Sequence, residues 1–263
     1  MPAPRRAAGA AVRRAVRRAV PRPLQVPGPT RYRRWMLTDL GELPLPDAIL
    51  FDLDGTLVDT VGTRIASWHA ALKEAGLPTT REHLAPRIGL DGKRLAREVA
   101  ALAGTILDDE RVEKIDHRAG ELYERLNHAP RPLPGVRELV AAIEARGLPW
   151  AIATSSRQAQ VATSVTALGL STEPRIVDAS HVEHAKPEPD LLLLAAAQLG
   201  VEPANCWYIG DSTWDMLAAV AAGMVPIAVT AGAAVGAAAL RAAGASVVVA
   251  SLVTLVEPLT ADR

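Results

Sequence analysis

From Asp47 onward the chain alternates short apolar runs with longer segments of helical periodicity, and that alternation is broken once. "AILFDL", residues 48–53, is a continuous apolar run of strand length, the pattern of a strand buried on both faces. Residues 61–128 then read as helices alone. Ile65, Trp68 and Leu72 share a face that ends near Gly76. Leu95, Val99 and Leu102 make a second stripe, and Val112, Ile115, Ala119, Leu122 and Leu126 a third. "HAPRPLPG", with three prolines, closes the block. The alternation then resumes with a helix over 135–146 ending at Gly147, the strand "PWAIAT", a helix over 157–168 before Gly169, and a short strand in "RIVDAS". A helix follows with prolines in its first turn and Gly200 past its end. The strand "CWYIGD", a helix over 212–222, the strand "VPIAV", an Ala-rich helix and a last strand in "ASVVVAS" complete the series.

Strands alternating with helices predict an α/β fold, a Rossmann-like parallel sheet covered on both faces. The helical block is too long for an ordinary loop and predicts an all-helical unit inserted after the first strand. The expected division is a core from 47–60 and 130–263, a helical insert at 61–129, and an appendage at 1–46.

Composition narrows this picture. Aromatic residues are scarce, with five Trp, three Tyr and one Phe, so Ala, Val, Leu and Ile must fill the core. The single cysteine, Cys206, excludes an internal disulfide and reads as a small buried hydrophobe. The zero net charge hides an asymmetry: residues 1–34 hold ten Arg and no acid, which leaves the rest of the chain acidic. An acidic body argues against nucleic-acid binding. In the basic arm, "AAVRRAVRRAV" sets Arg13, Arg14, Arg17 and Arg18 on one helical face and Val12, Val16 and Val20 opposite. It is expected to be a disordered tail, or to precede a true start at Met36; a surface-binding arm is the alternative, and its role is open. Its arginines break every apolar stretch, so no signal peptide is read there. Residues 216–240 lack charge, but they are mostly Ala and Gly and are split by Gly223 and Pro226, which argues against a membrane span. A cytoplasmic location is expected.

The candidate chemistry lies where four strands end in polar residues. Asp52 and Asp54 end the first, Thr154 and Ser155 the second, and Asp211 and Asp215 lie in "GDSTWD" after a later one; Lys186 sits in the loop "HAKPEPD". Ligands of open parallel sheets bind beyond the carboxyl ends of the strands, so these groups are expected to converge. Carboxylates this close need positive charge, and oxygen ligands without a His/Cys set point to a hard cation, most simply Mg²⁺. That field suits a phosphoryl group.

"FDLDGTLVDT", Thr154, the "KPEPD" lysine and "GDSTWD", in that order, resemble the motifs of the haloacid dehalogenase (HAD) superfamily over about residues 47–250, and the helical insert resembles its C1 cap domain. The resemblance implies a phosphatase acting on a small phosphorylated metabolite, close to the phosphoglycolate phosphatase and β-phosphoglucomutase branch. It implies Asp52 as nucleophile, Asp54 as general acid and then base, Thr154 on a phosphoryl oxygen, and Lys186 neutralising charge. Asp52, the Asp54 main-chain carbonyl and Asp211 would hold the metal, with Asp215 outside that shell or orienting Lys186. An aspartate at position 54 favours phosphate esters over carbon–halogen or carbon–phosphorus bonds. A sugar-phosphate mutase and a non-catalytic binding module are the alternatives.

Substrate choice in this family lies largely with the cap. Ser155 and the turn "PRIGLDGKRL" are expected to meet substrate, with Arg87, Lys93 and Arg94 reaching an anionic group. Relatives of mutase type usually carry an arginine where Gly92 falls, a departure that weakens the mutase reading. Asp59 is expected to cap the first cap helix. Trp68 is read as core, His69 as a packing or surface residue, His181 and His184 as loop residues, and Trp214 as packing near the cap entrance.

Overall fold

The computed structural model describes residues 40–260; the readings made for 1–39, Met36 among them, lie outside the described residues. β1 (Ala48–Phe51) is followed by four helices, α1 (Val61–Glu74), α2 (Arg81–Leu84), α3 (Gly92–Leu102) and α4 (Asp109–Leu126). Then come α5 (Val136–Ala145), β2 (Trp150–Ala153), α6 (Gln158–Leu168), β3 (Arg175–Val177), α7 (Asp190–Leu199), β4 (Cys206–Gly210) and α8 (Thr213–Ala222). β5 (Val225–Val229), α9 (Ala237–Ala242), β6 (Val247–Val249) and α10 (Val256–Thr260) end the described chain. The six strands form one parallel sheet in the order β3-β2-β1-β4-β5-β6.

Successive side chains of a strand point to opposite faces, so both faces of a buried strand must be apolar. Ile49 and Phe51 of β1 join Ile152, Trp207, Ile209 and Ile227 under α5, α6 and the C-terminal turns. Ala48 and Leu50 face the other way, with Ala151, Ala153, Cys206 and Tyr208, under α7 and α8. That second face is lined largely by alanines from both sheet and helices, which is how a chain with one Phe closes its core. Cys206 is fully buried there, and burial lifts its thiol to about 11, as an inert hydrophobe requires.

Helices α1 to α4 have an apolar cluster of their own, in which Ile65, Trp68 and Leu72 of α1 meet Leu95 and Val99 of α3 and Val112, Ile115, Ala119 and Leu122 of α4. Leu102 and Leu126, expected in these stripes, are exposed because each is the last residue of its helix, past the edge of the cluster. Two further expectations change. Asp59 does not cap α1; the N-cap is Thr60, whose hydroxyl is engaged with Asp54 instead. The packed chain also begins upstream of Asp47: Leu43 is buried in the core and the Pro44 carbonyl accepts from the Trp207 indole at 3.0 Å. The uncharged stretch 216–240 is divided among α8, β5 and α9, and no helix of the described residues is long and apolar enough to cross a membrane.

Candidate active site

β1 lies between β2 and β4, so whatever follows these three strands meets at one edge of the sheet. Strand hydrogen bonding carries past the strand ends and fixes the first functional residues: Asp52 N donates to Ile209 O at 2.9 Å and Thr154 N to Val177 O at 2.9 Å. Beyond Asp54 the chain reverses at Gly55, with φ of +86°. A side chain at this position would be strained, and its Cβ would fall 2.3 Å from Asp211 Oδ2. The glycine thus lets β1 and β4 deliver their aspartates side by side.

Lys186 is 1% exposed and reaches Asp52 Oδ1 at 2.5 Å, Asp215 Oδ1 at 2.7 Å and the Tyr208 hydroxyl at 3.2 Å. Asp215 is fixed from its other side: Oδ2 accepts from Ser212 N at 2.9 Å and from the Ser212 hydroxyl at 2.6 Å in a capping box that starts α8. Asp215 therefore spends both oxygens on protein partners and orients Lys186. Gly210 is what allows this approach, since a Cβ there would lie 2.5 Å from Asp215 Cβ. Gly210→Ala is expected to cost about 1–3 kcal/mol in denaturant unfolding, as overpacked cores do.

Asp211 Oδ1 accepts from the Thr56 hydroxyl at 3.1 Å, and carboxylate oxygens of Asp52, Asp211 and Asp215 lie within 4.8 Å of one another. Burial, offset by Lys186 and reinforced by Asp215 and Asp54, lifts the Asp52 carboxyl to about 7; burial together with Asp215 and Asp52 lifts Asp211 well above the carboxylate range. Lys186 alone does not balance this cluster. Among the described residues nothing donates to Asp52 Oδ2 or Asp211 Oδ2, so the donor set fits an oxygen-seeking divalent cation.

Asp54 belongs to a different cluster. Its Oδ1 accepts from the Thr60 hydroxyl at 2.6 Å and the Tyr123 hydroxyl at 2.8 Å; its Oδ2 accepts from Arg64 Nη2 at 2.7 Å and the Ser156 hydroxyl at 2.6 Å. Burial would raise this carboxyl, but the Arg64 charge and the hydrogen bonds outweigh it and bring Asp54 down to about 2. Arg64 also gives Nη1 to Gln160 Oε1 at 2.8 Å and lies 3.4 Å above the Tyr123 ring.

Asp52, Asp54, Thr154, Ser155 and Lys186 line one cavity of about 780 Å³, counting its open mouth, under the helices of the insert. The Ser155 hydroxyl is buried without a partner among the described residues. Trp68, Gly92 and Asp116 line the cavity as well. Arg87, Lys93 and Arg94, expected to meet substrate, do not line it; each is paired with an acid of the insert, Arg87 and Arg94 sharing Glu98 and Lys93 holding Glu113. The sequence reading passed over Arg64, Tyr123, Ser156, Gln160 and Tyr208. For Arg64 a signal was present: it stands four residues before Trp68, on the buried side of α1, where a charge needs a partner.

The profile of haloacid dehalogenase-like hydrolases matches residues 49–229. Among curated proteins, the chain is 37% identical to N-acetylmuramic acid 6-phosphate phosphatase of Pseudomonas aeruginosa over 171 residues, 64% of this chain and 75% of that protein. It is 32% identical to phosphoglycolate phosphatase of Xylella fastidiosa over 182 residues, 68% of this chain and 78% of that protein. Of solved structures, a hydrolase from Pseudomonas syringae superposes with a TM-score of 0.76 at 33% identity, covering 80% of this chain and 96% of the other. β-Phosphoglucomutase from Clostridium difficile superposes at 0.71 with 22% identity, over 80% and 93%, a likeness of fold.

Proposed function

The chain belongs to the haloacid dehalogenase-like hydrolases, and on that premise we propose that it is a Mg²⁺-dependent phosphatase of a small phosphorylated metabolite. The observation that carries the reading is the buried Asp52, held at 2.5 Å by Lys186 beside the Asp211 carboxylate at the mouth-facing end of β1. Phosphatases among the relatives support it. Asp52, Asp211 and the Asp54 main-chain carbonyl would hold Mg²⁺, which supplies positive charge to the phosphoryl oxygens and to the crowded carboxylates.

Asp52 attacks phosphorus through one carboxylate oxygen; the new O–P bond forms as the ester O–P bond breaks, and the leaving oxygen takes a proton from Asp54, which is ionised at rest and takes that proton up from the entering phosphate monoanion. Water then attacks the same phosphorus, gives its proton to Asp54, and frees Asp52 and inorganic phosphate. Thr154 and the unpartnered Ser155 hydroxyl offer donors to the phosphoryl oxygens, and Lys186 stabilises the charge that builds there. The helical insert covers the site as a cap and separates it from bulk solvent. The mutase alternative gains no support at Gly92, since Asp116 Oδ1 and Trp68 stand where a side chain would begin.

A panel of phosphorylated metabolites assayed with Mg²⁺ for phosphate release tests the reading; release from at least one of them, lost in the chelated enzyme, is the expected result. Stability gives a second check. Asp52 sits near 7 in the fold against 3.8 for a free aspartate, so the native state holds the extra proton between those values. The metal-free protein is therefore expected to lose stability as pH rises from about 4 to about 7. Saturating Mg²⁺ should remove that loss, read as thermal midpoints in chelator and in Mg²⁺ at both ends of the range.

A further inference from the structure

Asp54 has no capacity left for a substrate. A carboxylate offers about four lone-pair sites, and Thr60, Tyr123, Arg64 and Ser156 fill them. To meet a leaving oxygen, Asp54 must give up at least one partner. The cavity identifies which: Arg64 and Ser156 line it with Asp54, whereas Thr60 and Tyr123 do not. Oδ2 is thus the oxygen that faces the substrate, and Arg64 is the charged group that loses its counter-ion when Oδ2 turns to the ester.

Arg64 cannot relax into solvent when that happens. Its side chain is 13% exposed, one face lies on the Tyr123 ring, and its remaining partners, Gln160 and Ser156, are neutral. A buried cation stripped of its anion is strongly disfavoured. The other cavity-lining acids beyond Asp52 are committed: Asp116 pairs with Arg157, and Asp91 caps α3 through Arg94 N at 2.9 Å. Among the described residues three of the five guanidinium N–H groups of Arg64 are used, leaving two for a ligand.

We propose that Arg64 is the specificity-determining residue of the site, and that it selects phosphate esters whose leaving group carries a carboxylate close to the ester oxygen. This rests on the phosphatase reading above and names its substrate class. The substrate's carboxylate takes the place of Asp54 Oδ2 on the guanidinium as Asp54 turns to the leaving oxygen, so charge in the buried site stays balanced. An ester with a neutral leaving group leaves Arg64 uncompensated and is penalised in kcat/KM.

The test compares 2-phosphoglycolate with 2-hydroxyethyl phosphate, a neutral ester of similar size, using p-nitrophenyl phosphate as a reporter of bare phosphatase activity. Wild type is expected to favour the carboxylated ester in kcat/KM by at least about 30-fold. Arg64→Gln should collapse that ratio to within about 3-fold of unity, Arg64→Lys should keep part of it, and Arg157→Gln, which alters a cavity cation paired elsewhere, should leave the ratio standing. Turnover of p-nitrophenyl phosphate with no carboxylate preference in wild type overturns this inference and spares the phosphatase reading. So does a preference that survives Arg64→Gln. No turnover of any of the three overturns both.

Discussion

Replacing Asp52 by Asn is expected to abolish phosphate release while leaving the fold intact. The carboxylate is the only group at the end of β1 that stands against both Lys186 and the Asp211 carboxylate, and an amide of the same shape is too weak a nucleophile to replace it. Loss of a covalent nucleophile costs on the order of 10⁴-fold or more in kcat. The fold should tolerate the change for an electrostatic reason. Burial and the neighbouring aspartates already press Asp52 toward its neutral form, so removing its charge relieves the metal-free protein. A circular dichroism spectrum and thermal midpoint matching wild type, with phosphate release at background, is the expected pair of results. Comparable activity in the variant would remove Asp52 from the chemistry.

The second large effect is on stability. Lys186→Met leaves Asp52 and Asp215 facing each other without the ammonium that lies 2.5 and 2.7 Å from them, with both carboxylates almost fully buried. Removing one partner of a buried ionic cluster costs about 3–5 kcal/mol, because the remaining charges stay buried and uncompensated. Denaturant unfolding of the metal-free protein should show a drop of that size. Adding Asp215→Asn to Lys186→Met should recover part of it, since one of the stranded charges is then gone. A single variant as stable as wild type would mean that Lys186 is not the counter-charge of this cluster.

The groups with the clearest sequence signal are those whose chemistry sits in short, strand-ending motifs. Asp52 and Asp54 follow an apolar run, Asp211 and Asp215 follow another, and a parallel sheet brings such strand ends together whatever lies between them. The alternation of β2 to β6 with their helices was legible for the same reason, down to Gly200 and Gly223 at the ends of α7 and α8. The Asp54 cluster was not legible. Tyr123, Ser156 and Gln160 come from α4, the β2–α6 loop and α6 and read as ordinary helix or loop residues; Arg64, a charge on the buried side of α1, signals a partner without saying which. Only their meeting in space gives them meaning, and no spacing rule encodes it. The turn at 86–95 does reach the cavity, through Ile88, Gly89, Leu90, Asp91, Gly92 and Leu95, but its cations do not. Its three cations looked free in sequence because their acids, Glu98 and Glu113, lie on the next turn of α3 and on α4. Gly92, conversely, looked like a missing arginine and is a position that Asp116 and Trp68 require to be small.

The most direct test is to catch the phosphoryl group on the enzyme. Enzyme mixed with a hydrolysed ester from the panel, quenched in acid within the first turnover and digested, should yield the peptide around residues 49–60 carrying one phosphoryl group on Asp52, and the Asp52→Asn enzyme should yield none. An unmodified peptide throughout a productive first turnover, or a phosphoryl group on another residue, would contradict the account.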